Sequence, residues 1–425
     1  MRLRTRRFLY SGAFLIFMIV APLVILFGLG YRYDPLRHRV AIAGALYIKS
    51  YPAGATVFLD ASNSGKRTPT RIFNVSPGIH RITVELDGFV PWSKNLAVES
   101  RSTTFVRDIG LFKRTTPSFV SIGGKDVKAA RDADIYAFID SNRQVRITNM
   151  TTNYSYTLDT LQQVTDLYAI SPDGTNIIAR SNSGIFLIDS NSSSQRSIMK
   201  SADQSPYRFY FDPADAATVW SLHANRLQAH NTDDGTISSS LAADGAFIDE
   251  TSFLVTRQTP TSTQLTSYDR GLHPVQIVSA QIAEQNTPVS DDELMTVLST
   301  GHSLIAYNRK NGELTVLDAT FFDLLKDRLL ISSGLETAIF DLTTSQKTLL
   351  DRSTETVNAV VWHPNGSYYM QHRGNELQLV ELDGRDVRNS MVLATVADPY
   401  WSVFNAKGSQ LYVVTPSSNV VYSIQ

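Results

Sequence analysis

The stretch N176-IIARSNSGIFLI-D189 decides the fold of most of this 425-residue chain. It contains an apolar run, a polar turn that ends at Gly184, and a second apolar run. Short apolar runs on either side of an Asn/Ser/Gly cluster are typical of a β-hairpin. No long helical pattern interrupts such segments between residues 115 and 425. The stretch therefore predicts two antiparallel strands in an all-β region.

The same unit recurs along the chain. Its eight cores begin at Ile135, Asn176, Thr218, Ser252, Glu293, Arg328, Ser367 and Gln410, so that successive starts are 34 to 43 residues apart. A period near 40 residues with several strands per repeat is the signature of a β-propeller. We predict a propeller over residues 115–425 with eight blades. The count would be seven if the weakest unit, 244–280, were irregular.

Three units carry a related turn just before the core strand. The turns are Ser171-Pro172-Asp173-Gly174, His363-Pro364-Asn365-Gly366 and Asn405-Ala406-Lys407-Gly408. Asp-Gly and Asn-Gly are strong turn formers. The first turn resembles the SPDG turn of TolB-like and WD40-like propellers. This resemblance covers about four residues per unit and indicates an architecture, not a function.

The two ends of the repeat region predict a closed ring. The last unit stops one strand short, whereas Pro117-Ser-Phe-Val-Ser-Ile122 precedes the first unit and belongs to no other. We predict that 117–122 completes the last blade. Closure protects the edges that an open array of strands would expose.

A charge-free segment, 8–31, lies between Arg7 and Arg32. At about 1.5 Å per residue a helix of this length reaches roughly 36 Å, enough to cross a hydrocarbon core of about 30 Å. We predict a transmembrane anchor over 8–31, after a basic cytoplasmic tail (1–7) and before a juxtamembrane linker (32–44). The apolar residues taken to mark the anchor are Phe8, Phe14, Ile16, Leu23, Leu26 and Leu29.

A cleaved signal peptide is the rival interpretation of this segment. Signal peptides have a shorter apolar region of about 7–15 residues and a small-residue cleavage site. The sequence GLGYRYDP, which follows the apolar run, contains no A-x-A pattern. Four arginines precede the span and three follow it closely, which favours a cytoplasmic N-terminus.

Residues 45–114 change to a period of two, with Ala55, Val57 and Leu59 in alternation, and contain several turn signals. The strings YPAGATVFLD (51–60), GKRTP (65–69), VSPGIHRITV (75–84) and DGFVPW (87–92) resemble a PEGA domain. That family's Pro-Glu-Gly-Ala motif is represented by Pro52-Ala53-Gly54-Ala55, with alanine replacing glutamate. The resemblance implies a small β-sandwich of bacterial and archaeal envelope proteins, without catalytic residues. Its motif positions are Pro52, Gly54, Ala55, Thr68, Pro69, Pro77, Gly78, Gly88 and Phe89.

Charge changes sign along the chain. Residues 1–43 carry a net +6 and residues 44–114 a net +5, whereas 115–425 have 22 basic and 34 acidic residues, net -12. The acidic region argues against nucleic-acid binding, which needs clustered Lys and Arg. The chain contains no cysteine. This excludes disulfides, thiolate metal sites and cysteine nucleophiles.

Few motifs in the sequence point to catalysis. No H-x-x-x-H, H-E-x-x-H or G-x-S-x-G pattern occurs, and Gly123-Gly124-Lys125 lacks the remaining residues of a P-loop. His223 and His230 share one predicted hairpin, for which we favour packing over a metal pair. Ser197-Ile-Met-Lys200 matches S-x-x-K but falls on a predicted outer strand. The acidic turns Asp233-Asp234 and Asp291-Asp292-Glu293 are interpreted as solvated loops. We predict no catalytic, metal-binding or cofactor-binding residues and no cofactor.

These observations predict a single-pass membrane protein whose all-β domains lie outside the cytoplasm. The leading hypothesis is a non-enzymatic envelope scaffold whose partners are the lipid bilayer and an envelope protein or surface glycan. The alternative is a membrane-tethered glycan or peptide hydrolase with its site in the propeller channel. Two carboxylates about 5–10 Å apart in that channel would favour the hydrolase.

Overall fold

The computed structural model describes residues 3–28, 30–34, 39–130, 132–160, 163–200, 207–280, 282, 286–291, 295–396 and 401–425. The chain divides into two compact units. Unit 1 contains residues 1–114, 381–390 and 425, and unit 2 contains 115–380 and 391–424.

Unit 1 begins with a helix, α1 (Leu3–Gly28). Its segment Tyr10–Gly28 is long and apolar enough to cross a membrane, and none of it is buried. The helix ends at Gly28, before the predicted anchor's end, and Gly30 just beyond it has a φ of +87°, which a helix does not accommodate. Four predicted anchor residues, Phe14, Ile16, Leu23 and Leu26, are exposed. Phe8 lies within the helix, and Leu29 lies outside the described residues.

Nine strands complete the first part of unit 1. They are β1 Tyr31–Asp34, β2 Arg39–Ile42, β3 Gly44–Tyr51, β4 Thr56–Leu59, β5 Ser62–Arg67, β6 Thr70–Val75, β7 Gly78–Glu85, β8 Trp92–Val98 and β9 Thr103–Gly110. Strands β1 and β2 pair within the segment that the sequence predicts as a linker. The remaining strands form two sheets, β6-β3-β9 and β5-β4-β7-β8.

The two larger sheets share one core. Leu46 and Ile48 of β3, Val57 of β4 and Ile82 and Val84 of β7 are fully buried in it. Buried residues alternate with less buried neighbours along β3, as a strand with one face on a core requires. The small β-sandwich predicted from the resemblance is confirmed.

Unit 2 is built from eight four-stranded antiparallel sheets among the described residues, each of which is one blade. The strand β10 (Ser118–Ile122) comes first and belongs to the last blade. Blade 1 contains β11 Gly124–Ala129, β12 Ile135–Asp140, β13 Val145–Asn149 and β14 Tyr154–Thr157, and blade 2 contains β15 Val164–Ile170, β16 Asn176–Ser181, β17 Gly184–Asp189 and β18 Gln195–Met199. Blade 3 contains β19 Arg208–Phe211, β20 Thr218–His223, β21 Arg226–Asn231 and β22 Ile237–Ala242. Blade 4 contains β23 Gly245–Ile248, β24 Ser252–Gln258, β25 Thr263–Asp269 and β26 Pro274–Ala280.

Blades 5 to 8 follow the same order from the first, innermost strand to the outermost. Blade 5 contains β27 Thr287–Asp291, β28 Met295–Ser299, β29 Ser303–Asn308 and β30 Leu314–Asp318, and blade 6 contains β31 Phe321–Leu325, β32 Arg328–Ser332, β33 Glu336–Asp341 and β34 Gln346–Arg352. Blade 7 contains β35 Val357–Trp362, β36 Tyr368–Arg373, β37 Glu376–Glu381 and β38 Ser390–Thr395. Blade 8 contains β39 Trp401–Phe404, β40 Gln410–Val414 and β41 Ser418–Ser423, and β10 is its outermost strand. The prediction of eight blades is confirmed, and the unit 244–280 is a complete blade.

The continuous apolar runs of the cores reflect burial on both faces of a blade. In β12, Tyr136 and Phe138 pack against the last blade, beside Tyr412. Ala137 and Ile139 of the same strand pack against Ile177 and its neighbours in blade 2. A strand buried on both faces reads as a continuous apolar segment instead of an alternating one.

The ring closes as the sequence predicts. Strand β10 pairs antiparallel with β41, and Phe119 lies opposite Val420. The fully buried Asn419 of β41 donates hydrogen bonds from Nδ2 to Ser121 Oγ (3.1 Å) and Thr148 Oγ1 (3.2 Å). Its Oδ1 accepts a hydrogen bond from the Tyr136 hydroxyl (2.6 Å). Asn419 therefore connects the first strand of unit 2, the last strand and blade 1.

We predict that Asn419→Ala lowers the free energy of unfolding by about 2–4 kcal/mol, because it opens a cavity and leaves several buried polar groups without a partner. The matched control is Asn375→Ala, whose side chain is exposed, and it should change stability by less than about 0.5 kcal/mol. Urea unfolding of the full chain in detergent measures both. Equal effects of the two substitutions would contradict the role assigned to Asn419.

Candidate functional site

A cavity in unit 2 lies among the inner strands of four consecutive blades. Its volume is about 530 Å³. Strands β31 and β35 supply most of its lining, while β39 and the end of β11 supply the remainder. The inner strands of successive blades contact one another, as β31 and β35 do. The cavity therefore lies at the centre of the propeller.

Asp323 is the carboxylate in this cavity's lining. Its Oδ2 accepts a hydrogen bond from the backbone N–H of Trp362 (2.7 Å), and its Oδ1 accepts one from the N–H of Leu324 (3.0 Å). Burial raises the pKa of Asp323, and these two hydrogen bonds only partly oppose the shift. No Lys, Arg or His is among the lining residues that the structure describes.

The rest of the lining combines aromatic and small polar side chains. Phe321, Phe322 and Trp401 are the aromatic residues, and Thr320, Asn358 and Ser402 are polar. A glycosidase of the usual kind needs two carboxylates on either side of the scissile bond. The described lining offers one. No group of three or more His, Asp or Glu residues suited to a metal ion occurs in the described part of the chain.

The histidines of the predicted hairpin are part of the core packing. His230 Nε2 forms a hydrogen bond with Ser221 Oγ (2.7 Å), and both residues are almost completely buried. Burial lowers the pKa of His230. The ring of His223 instead stacks on Tyr207, with centroids 4.0 Å apart. The Ser221–His230 pair lies outside the described cavities, so a substrate does not reach it through one of them.

The remaining motif matches have structural roles. Ser197 lies on the outer strand β18, where residues three apart point to opposite faces, so Lys200 is not brought beside it. A Cβ atom on Gly123 would lie 2.1 Å from Thr415 O, so the Gly-Gly pair permits close packing at the ring closure. Asp233 pairs with Arg196. Asp292 and Glu293 lie outside the described residues.

The related turns join each blade to the preceding one. In all three, the glycine has a φ near +70°. A Cβ atom on Gly174 would contact Ile135 of blade 1, one on Gly366 would contact Arg328 of blade 6, and one on Gly408 would contact His363 of blade 7.

Side chains in and around these turns complete the links. Asp173 accepts hydrogen bonds from Ser171 and Thr175, and Asp132 N donates to Pro172 O. In the second turn, Asn365 N donates to His363 Nδ1, while His363 Nε2 bonds to Gly408 O (2.9 Å). Pro364 lies between them on the surface. The turns therefore connect neighbouring blades.

The PEGA-like positions also converge on one another. Gly54 N donates to Thr68 O, and Ala55 N donates to Thr68 Oγ1. The peptide bonds preceding Pro52 and Pro69 are both cis. Gly78 and Gly88 have positive φ values. Pro77 lies in the turn before β7, and Phe89 packs against the core beneath Lys113.

Sequence reasoning did not find a buried charge cluster in unit 1. Lys94 of β8, which has a fully buried side chain, lies 3.1 Å from Glu381 Oε2 and donates a hydrogen bond to Asp383 O. Trp92 Nε1 donates to Glu381 Oε1 (3.0 Å), and Asn389 Nδ2 donates to Oε2 (2.8 Å). The segment 381–390 is thereby fixed within unit 1. The sequence signal is weak, because a single lysine in an alternating strand ordinarily faces solvent.

The pattern of strands and turns in unit 1 is shared with a known family. Residues 43–113 match the PEGA domain family. These residues are a PEGA domain. The match covers the two larger sheets of unit 1 and confirms the resemblance carried by the motif positions.

Several solved structures are similar to most of the chain. The structure of the Dos1 propeller is similar with a TM-score of 0.51 and 11% identity, covering 73% of this chain and 94% of that chain. The chain is also similar to BamB from Moraxella catarrhalis, with a TM-score of 0.46 and 13% identity, covering 73% of this chain and 98% of that chain. The WD40 domain of SCAP from fission yeast is similar with a TM-score of 0.48 and 11% identity, covering 73% of this chain and 97% of that chain. No curated protein sequence matches the chain. The similarity to the Dos1 propeller, together with the eight four-stranded sheets of unit 2, shows a propeller fold.

We predict that Lys94→Met and Glu381→Leu each destabilise the full chain by about 3–5 kcal/mol, because each leaves one buried charge without its partner. The double variant should cost less than the sum of the two, since no unpaired charge remains. Urea unfolding followed by tryptophan fluorescence measures the cycle.

The exposed pair Arg352–Glu336, with Nε and Oε1 2.7 Å apart, provides the control. Arg352→Met should cost less than about 1 kcal/mol. If Lys94→Met cost no more than this control, the buried pair would not have the role we give it.

Proposed function

We propose that this protein is a non-enzymatic scaffold, anchored in the cell membrane, whose propeller recognises a protein or a glycan of the cell envelope. The observation that carries the proposal is the closed eight-bladed ring, which presents a rigid surface with variable outer strands and loops. The PEGA domain precedes that ring in the chain, and its resemblance to envelope proteins supports the same compartment.

The N-terminal helix supports the membrane placement. Its apolar side chains face outward along the segment Tyr10–Gly28, and none of that segment is covered by the rest of the protein. An isolated apolar helix of this length has no favourable environment in water, whereas a bilayer provides one. Because four arginines precede the span and three follow it, we infer that the N-terminus lies in the cytoplasm and that the β-sheet domains lie outside it.

The outer strands of the propeller support recognition of a partner. Ile237, Val275, Ile277 and Val316 are each more than half exposed on the outer strands of blades 3, 4 and 5. Strand β26, Pro274–Ala280, carries no charged residue, whereas natural edge strands usually carry charges that prevent pairing. Val275 and Ile277 lie two residues apart on β26 and so share one face of the strand, and contiguous exposed apolar side chains mark protein interaction surfaces.

The hydrolase alternative draws no support from the described geometry. Its mechanism would need a second carboxylate near Asp323, and the described cavity lining supplies none. We therefore favour recognition without catalysis.

One experiment tests both the location and the interaction. Because the chain contains no cysteine, Val275→Cys introduces a unique thiol at an exposed outer-strand position. We predict that a membrane-impermeant maleimide with a photoreactive group labels this thiol in intact cells. Illumination should then join the protein to one recurrent envelope protein or wall polymer, identified by mass spectrometry.

Two further variants serve as controls. Thr5→Cys, in the predicted cytoplasmic tail, should react only after the cells are lysed. Lys347→Cys lies on the charged outer strand β34 and should be labelled equally well but form few adducts. Labelling of Thr5→Cys but not Val275→Cys in intact cells would contradict the topology. Adducts that are absent or equally abundant at positions 275 and 347 would contradict recognition by β26.

A further inference from the structure

The central cavity of the propeller has an unbalanced charge. Asp323 is half-buried in its lining, and among the described residues its oxygens accept hydrogen bonds from the backbone N–H groups of Trp362 and Leu324. Arg328, the basic side chain over the Trp362 ring, donates to Gly366 O instead of to this carboxylate. Each carboxylate oxygen retains a lone pair, so Asp323 has unused capacity to accept hydrogen bonds.

The residues around Asp323 determine which ligand charge the cavity favours. An anion would approach a carboxylate without any basic side chain in the described lining to offset the repulsion. The 115–425 region, with its net charge of -12, adds a long-range field that concentrates cations and repels anions. A cationic ligand is therefore favoured.

The kind of cation follows from the other lining residues. A divalent metal ion would require several oxygen ligands, about six to eight for calcium, and Asp323 is the single carboxylate of the described lining. Aromatic side chains attract organic cations through their negative ring faces. Phe321, Phe322 and Trp401 are the aromatic residues of the lining, and Asn358 and Ser402 are polar residues whose oxygens can accept hydrogen bonds.

We propose that the central cavity binds an organic ammonium group, with Asp323 as the anionic partner and the aromatic lining as its contact surface. The volume of about 530 Å³ accommodates a small amine or the end of an amine-bearing chain. This site does not depend on the membrane placement or on recognition by the outer strands.

The affinity should depend on pH in a defined direction. An ammonium group pairs with the ionised carboxylate, and burial raises the pKa of Asp323. Binding should therefore be complete above this raised pKa and weaken as the pH falls through it. Asp323 is the titratable side chain among the described lining residues.

Calorimetric titration of the full chain in detergent tests the proposal. The probes are Nα-acetyl-lysine amide, which has a primary ammonium group, and its Nε-acetylated form, which has the same chain without charge. n-Butylammonium tests whether a free amine suffices. We expect the two ammonium compounds to bind, and the neutral compound to bind at least about tenfold more weakly.

Asp323→Asn keeps the size of the side chain and an oxygen that accepts a backbone hydrogen bond, and it should weaken ammonium binding by about tenfold or more. Asp318→Asn makes the same charge change at an exposed position of β30, so it should change the affinity less than about twofold. A thermal melt of Asp323→Asn verifies that the propeller remains folded.

Three results would overturn the proposal. They are no binding of either ammonium compound, equal binding of the neutral compound, and equal weakening by Asp323→Asn and Asp318→Asn. Capture of an envelope partner through Val275→Cys is measured separately, so failure of either proposal is recognised independently of the other.

Discussion

The pairing of β10 with β41 is the interaction on which the propeller depends. Without it, the last blade would have three strands, and the inner strands of blades 8 and 1 would not be held side by side. Asn419 of β41 reinforces this connection by bonding to Ser121 of β10 and to Thr148 and Tyr136 of blade 1. Because these polar groups are buried, each must find its partner within the protein. The buried hydrogen bonds of Asn419 therefore favour this one pairing of the terminal strands over others.

The central cavity is a consequence of that closure. Its lining comes from blades 6, 7, 8 and 1, which are the blades on either side of the point where the two ends of unit 2 meet. The related turns act in the same part of the ring, since Arg328 bonds to Gly366 and His363 bonds to Gly408. Contacts between neighbouring blades thus determine where Asp323 lies and which side chains surround it.

Much of the fold could be predicted from the sequence because it depends on local patterns. The spacing of the cores gave the blade number, and the missing strand of the last unit identified 117–122 as its completion. The PEGA domain was recognisable from turn residues at fixed positions. The predicted anchor extended to residue 31 because the charge-free run ends only at Arg32, whereas the helix ends at Gly28 and Gly30 takes a positive φ.

The unpredicted features all join residues that are distant in sequence. Lys94 and Glu381 are 287 positions apart, and neither residue type suggests a buried pair. In the sequence, nothing distinguishes Asn419 from an asparagine in a turn. Its role follows only from its hydrogen bonds to Tyr136 and Thr148 of blade 1. Asp323 is one of 34 acidic residues in its region, and only the arrangement of inner strands distinguishes it from the others. Such contacts are set by tertiary structure and leave no periodic signal in a single sequence.

Amide hydrogen exchange of the full chain, measured by mass spectrometry, tests the closure most directly. Strand β41 should be protected as strongly as β33, because each is the third strand of a blade and has partners on both sides. Strand β10 should be protected like the outer strand β34. If β10 exchanged as fast as the exposed turn around His302, and β41 lost the corresponding protection, the ring would not be closed by these strands and the account would be wrong.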